Sequence, residues 1–104
     1  MTEQMTRLRQ MLKEKKIEFV DRSDPEGSKI HIDRTHFIVE GQKTHFFSVI
    51  HGFATYGGIS LYGKDYGLLE VQIDHKDPVG FKTAEDVMKM VEEIEDEKKQ
   101  NTLD

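Results

Sequence analysis

Residues 44–51 read Thr-His-Phe-Phe-Ser-Val-Ile-His, the most strand-like run of the chain. Aromatic and β-branched side chains suit a pleated, half-buried surface, so a β-strand is expected here. Working outward, residues 68–73 alternate well, with Leu69, Val71 and Ile73 on one face and Glu70 and Gln72 on the other. Upstream, residues 29–33 alternate with Ile30 and Ile32 inward and His31 outward. After a short Arg34-Thr35 connection, residues 36–40 form a further strand or continue this one past a bulge, and residues 40–43 make a turn. A β-type pattern also covers residues 17–20, followed by a loop over residues 21–28 whose turn residues are Pro25 and Gly27.

Helical patterns flank these strands. Over residues 3–15, Met5, Leu8, Met11 and Leu12 repeat at three and four, giving one apolar stripe. At the other end Thr83 is a good N-cap, with Glu85 and Asp86 in the first turn. Val87, Met90, Val91 and Ile94 then form the expected buried stripe, Lys98 and Lys99 close the helix, and residues 100–104 are read as a frayed tail. The order helix, strands, helix predicts an α+β fold. A four- to five-stranded antiparallel sheet carries both helices on one face, in a single domain over residues 1–99.

Composition narrows the function. At 104 residues, folding buries roughly two-thirds of the unfolded chain's surface, enough for one core. With no cysteine, disulfides and thiolate metal sites are excluded, and a reducing cytosol is the expected home. No apolar run approaches a membrane span, and the first ten residues lack the apolar core of a signal peptide, so a cytoplasmic protein without membrane contact is expected. A net charge of −5 argues against direct nucleic-acid binding, which rests on neutralising phosphates. The charge is unevenly placed: residues 1–16 carry a net +3 and residues 84–97 a net −6. The two helical surfaces are read as solvated, with packing or subunit pairing between them as the alternative, which leaves homo-oligomerisation open.

Between the strand at 44–51 and the strand at 68–73 lie sixteen residues, long for a hairpin, and long ordered loops are often functional. This stretch holds all three tyrosines, Tyr56, Tyr62 and Tyr66, with Gly57, Gly58, Gly63 and Gly67. Such glycines also serve simple turns and bulges. As a binding surface, His51, Phe53, Tyr56, Tyr62, Lys64 and Tyr66 offer an aromatic platform with a charge. For a nucleotide ligand, Tyr56 or Tyr62 would stack the base, the Gly57 and Gly58 amides would approach phosphate, and Lys64 or Arg34 would supply charge.

Catalytic signals are weak. Residues 58–64 match the spacing GxxxxGK of a phosphate-binding loop, but Asp65 stands where a Ser or Thr would hold magnesium, and no helix follows. There is no GxSxG elbow. Among the five histidines, His31 and His36 with Asp33 suggest a metal-dependent hydrolase as an alternative, though His36 is expected past a turn. The expectation is a protein that is not an enzyme, with no cofactor and no metal.

The segments LKEKKIEFV (12–20), FFSVIHGF (46–53), TYGG (55–58), GLLEV (67–71) and GFKTAEDVMKMVEEI (80–94) resemble small, mostly uncharacterised accessory proteins of phages and prophages of Gram-positive bacteria. The resemblance spans residues 5–95, with ISLYGKDY (59–66) as an insertion between TYGG and GLLEV. It implies a binding protein of the infected cell's cytosol that counters host antiviral defence. Such a protein acts either by sequestering a nucleotide signal or by blocking a defence protein.

Overall fold

A computed structural model describes the backbone of residues 1–102 and the side chains of residues 1–98. Helix α1 (Glu3–Glu14) opens the chain and helix α2 (Ala84–Thr102) follows the last strand. Between them lie β1 (Phe19–Asp21), β2 (Ile32–Glu40), β3 (Thr44–Gly52), β4 (Leu69–Ile73) and β5 (Val79–Lys82). The five strands form one antiparallel sheet in chain order, each hydrogen-bonded to the next. The expected α+β architecture is therefore the observed one, with five strands.

The core lies between one sheet face and the two helices. Met5, Leu8 and Leu12 of α1 and Ala84, Val87, Met88, Val91 and Ile94 of α2 close over Phe37, Val39, Phe47, Val49, Leu69 and Val71. Phe37 and Phe47 stack at 4.8 Å in the middle of this layer. Met88 takes the core position expected for Met90, which packs at the periphery. The opposite sheet face, carrying Arg34, His36, Ile38, Phe46, Ser48 and Ile50, has no helix over it.

Strand β2 departs from the reading of its sequence. It runs unbroken through Arg34 and Thr35, and its inward positions are Asp33, Thr35, Phe37 and Val39. Ile30 is more than half exposed, outside the strand. Thr35 is tolerated in the core because its hydroxyl is satisfied on both sides: it donates to Met5 Sδ at 3.2 Å and accepts Arg9 Nε at 2.8 Å. The Arg9 guanidinium also donates to the Arg34 carbonyl at 3.2 Å and pairs with Asp21, linking α1 to β1 and β2. Ser23 and that guanidinium hold the Asp21 carboxyl well below the usual carboxylate range.

Strand β5 has no counterpart in the sequence pattern. Its residue Phe81 lies at φ 56° and the ladder to β4 is bulged, so no alternation marks it. The β4–β5 connection, residues 74–78, opens on a tight turn with Asp74 at φ 54° and His75 at φ 59°, closed by Lys76 N–H donating to the Ile73 carbonyl at 3.0 Å. Both central residues are left-handed, the type I′ geometry that matches strand twist. Asp74 accepts the Phe46 N–H and the His45 ring N–H, and these bonds lower its carboxyl pKa.

The helices end on local chemistry. After α1, Lys16 at φ 60° lets Ile17 N–H reach the Leu12 carbonyl and its own N–H reach Lys13, a Schellman closure. Before α2, the Thr83 hydroxyl accepts Asp86 N–H at 3.1 Å while the Asp86 carboxylate accepts Thr83 N–H at 2.9 Å, so the expected N-cap is a full reciprocal box. The helix backbone continues to Thr102, past the start of the expected tail; residues 103 and 104 lie outside the described residues. Oppositely charged side chains meet across the helices at Arg7–Glu85 and, at 3.0 Å, Lys15–Glu95. The two helices therefore lie side by side, running the same way, rather than presenting independent solvated faces. Both pairs are exposed enough to add little stability.

Candidate functional site

Residues 53–68 form a folded loop held by its own backbone. Ile59 bridges Phe53 on one side and Asp65 on the other. Ala54 N–H donates to the Ile59 carbonyl at 2.7 Å, Tyr66 N–H to Gly58 at 3.0 Å and Leu68 N–H to Gly57 at 2.9 Å. At the far end Gly63 N–H donates to Ser60 at 2.9 Å and Ser60 N–H to Lys64 at 2.7 Å, with Gly63 at φ 87°. That pattern is a tight turn followed by a one-residue bulge, a standard way to close a hairpin. Its two corner residues are Leu61, 73 % exposed, and Tyr62, 100 % exposed. Turn corners usually carry polar residues or glycine. Here a leucine and a tyrosine stand in water on a turn closed by backbone hydrogen bonds between Ser60, Gly63 and Lys64.

The loop is fastened at its base in four places. His51, 7 % exposed, donates its Nε2–H to Asp65 Oδ1 at 2.9 Å, and the same oxygen accepts Gly67 N–H at 2.8 Å. Thr2 Oγ1 donates to the Gly67 carbonyl at 3.1 Å, tying the start of α1 to the loop. Tyr56 N–H donates to the Glu70 carboxylate at 3.0 Å, and its carbonyl accepts Phe81 N–H at 3.2 Å. Gly80 passes so close that a Cβ there would lie 2.1 Å from the Tyr56 Cβ.

The His51 hydrogen bond, with that of Gly67, holds the Asp65 carboxyl below the usual carboxylate range. A carboxylate with a depressed folded pKa adds stability that is complete above the unfolded value and lost as pH falls through the folded one. Exchange protection of the Gly67 amide is thus expected to hold at neutral pH and to weaken below about pH 4. Asp65→Asn removes that acid dependence, and an acid profile unchanged in the variant would refute the assignment.

Around the loop base the exposed aromatics gather. Lys64 Nζ lies 4.6 Å from the Tyr66 ring centroid, and the Tyr66 ring meets Phe81 edge-on at 5.7 Å. Tyr56 is 57 %, Phe81 57 % and Tyr66 46 % exposed, so the group remains open to a partner.

Set against the expected site, the structure keeps Phe53, Tyr56, Tyr62, Lys64 and Tyr66 together on one exposed loop. It moves His51, Gly57 and Gly58 out of any contact surface. His51 is a buried fastening, Gly57 is packed against Phe81 and Leu68, and the Gly58 amide is already bonded to the Thr55 carbonyl at 3.1 Å. Neither glycine is placed as a phosphate cradle. Residues 58–64 form the hairpin end, and Lys64 turns onto Tyr66. Arg34 belongs to the uncovered sheet face on β2. Leu61 and Phe81 join the surface unannounced; only the hydrogen-bonded turn and the β5 bulge expose them.

The histidines do not assemble as the metal alternative requires. His31 pairs with Asp33 at 2.9 Å, which raises the His31 pKa, while His36 sits on the opposite face of β2 and bonds Ser48 at 3.1 Å. Among the described residues no three His, Asp or Glu side chains converge as metal ligands. No helix among the described residues is long and apolar enough to cross a membrane. Comparison with protein families, with curated proteins and with solved structures gives no match for this chain.

Proposed function

We propose that this chain is a non-catalytic binding protein whose working surface is the loop of residues 53–68, and that it blocks a protein partner. The observation that carries the reading is the pair Leu61 and Tyr62, held largely and fully exposed at the end of a hydrogen-bonded hairpin. Interface energy concentrates in a few aromatic and aliphatic anchors that enter a partner's pocket, and preorganisation lowers the entropy lost on binding. Small-molecule sites are concave. The tip of this loop projects into water, the Gly58, Gly63 and Gly67 amides are bonded within it and Gly57 is buried, which favours a protein partner over a sequestered nucleotide. The helix charges that would drive self-association meet within one chain at Arg7–Glu85 and Lys15–Glu95. Together with the resemblance to phage accessory proteins, this supports the blocking of a host defence protein in the bacterial cytosol.

The test is phage plating on Gram-positive strains that each carry one defence system, with and without the expressed chain. Wild type is expected to raise plating at least a hundredfold on one strain. The double variant Leu61→Ser with Tyr62→Ser, which alters only exposed side chains, is expected to lose that effect at unchanged melting temperature. Equal rescue by the variant would remove the hairpin from the reading, and no rescue on any strain would remove the defence role.

A further inference from the structure

The uncovered sheet face holds a second feature, independent of the loop. Arg22 N–H donates to the Arg34 carbonyl at 2.9 Å, which places the two arginines opposite each other on adjacent strand segments. Neither guanidinium has a carboxylate partner among the described residues. Like charges directly opposite on a sheet are destabilising, so a chain of net charge −5 gains nothing structural from this arrangement. His36, two positions along β2 from Arg34, packs edge-on against Phe46 at 5.0 Å, and the exposed His75 stacks on Phe46 at 5.6 Å. Burial first, and then the neighbouring Arg34, Arg22 and His75, lowers the pKa of His36, so the fixed positive charge of this face is that of the two guanidiniums. The carboxylates on this face are engaged as acceptors: Asp24, two positions from Arg22, takes the Ile32 N–H, Glu40 the Thr44 hydroxyl, and Glu70, opposite Ile50, the Tyr56 N–H.

We infer that this face binds a single-stranded nucleic acid. The paired guanidiniums fit successive phosphates, and the Phe46–His75 stack offers a flat surface for a base. From Arg22 to His75 the row crosses four strands and shifts about four residues along them, roughly 20 Å at the spacings of a sheet, room for a few nucleotides. The chain's acidity is not an obstacle, because the acids Glu92, Glu93, Glu95, Asp96 and Glu97 lie on α2, on the other side of the sheet.

Fluorescence anisotropy with labelled U12 and dT12 oligonucleotides tests this, at 50 and 300 mM salt. Binding is expected at low salt and is weakened at least tenfold at high salt, as counterion release requires. Arg22→Glu with Arg34→Glu is expected to abolish it. His75→Gly is the control against misfolding: glycine suits the left-handed φ of that turn, so the variant folds at least as well while losing the stacking ring. Its affinity is expected to fall at least fivefold. No binding at 50 mM salt, or full affinity in either variant, overturns the proposal. Equal competition by poly-glutamate also overturns it, since the face would then read charge alone and fit an acidic protein. The Leu61→Ser, Tyr62→Ser variant keeps full oligonucleotide binding, which separates this surface from the loop.

Discussion

Gly80→Ala is expected to lower the melting temperature by roughly 10–20 °C, from about 3 kcal/mol of lost stability, and to free the loop of residues 53–68 from the sheet. The added Cβ would meet the Tyr56 Cβ at 2.1 Å, its carbonyl oxygen at 2.6 Å and its carbonyl carbon at 2.8 Å. Two of these atoms are backbone, so no rotamer change relieves the clash. Either β5 or the loop must move, and the Phe81 N–H···O=C Tyr56 bond is lost with it. Gly57 faces the same contact from the other side, its virtual Cβ 2.6 Å from Phe81 N. Amide exchange gives the local reading. Leu68 and Phe81 should lose protection in the Gly80 variant while Val49 and Val71, inside the sheet, stay slow. An unchanged melting temperature would show that the loop is not packed on β5.

Phe47→Ala is expected to cost about 3–5 kcal/mol in urea unfolding, a large share of the 5–15 kcal/mol typical of a small domain. Phe47 has no exposed surface, lies opposite Ile73 on β4 and stacks on Phe37 beneath the helices. Its neighbour Phe46 points to the uncovered face and is half-buried. Phe46→Ala should therefore cost less than half as much. Equal losses at the two positions would contradict the assignment of one covered and one uncovered sheet face.

The elements that were legible in the sequence are those whose burial is one-sided and regular. In α1, Met5, Leu8 and Leu12 are the buried positions the spacing marks, and in β4 Leu69 and Val71 are the inward ones. Strand β2 misleads because two of its inward positions are polar. Thr35 is satisfied by Arg9 and Met5, and Asp33 by His31, partners that lie far off in sequence or outside the strand. The apolar Ile30 and Ile32 then suggest the wrong parity. Strand β5 was not legible at all, since the left-handed Phe81 and the bulge break any alternation. Of the loop, composition marked its tyrosines and length marked its importance. Its shape rests on backbone hydrogen bonds and on the passage of Gly80, which no side-chain pattern encodes.

The strand order has a consequence for how the chain assembles. Each strand pairs with the one before it, through short loops after β2 and β4 and longer connections after β1 and β3. Pairing between near neighbours closes small loops first, and small loops lose little chain entropy. The helices are different. Arg7 meets Glu85 and Gln4 meets the Ala84 amide across nearly the whole chain. Closing that contact costs the most chain entropy, so α2 is expected to dock beside α1 late, and without it the apolar face of Phe37, Phe47, Val49, Leu69 and Val71 is only half roofed. A chain cut after Lys82 would lose five of the fourteen buried core side chains and leave that face open to every other molecule in the cell.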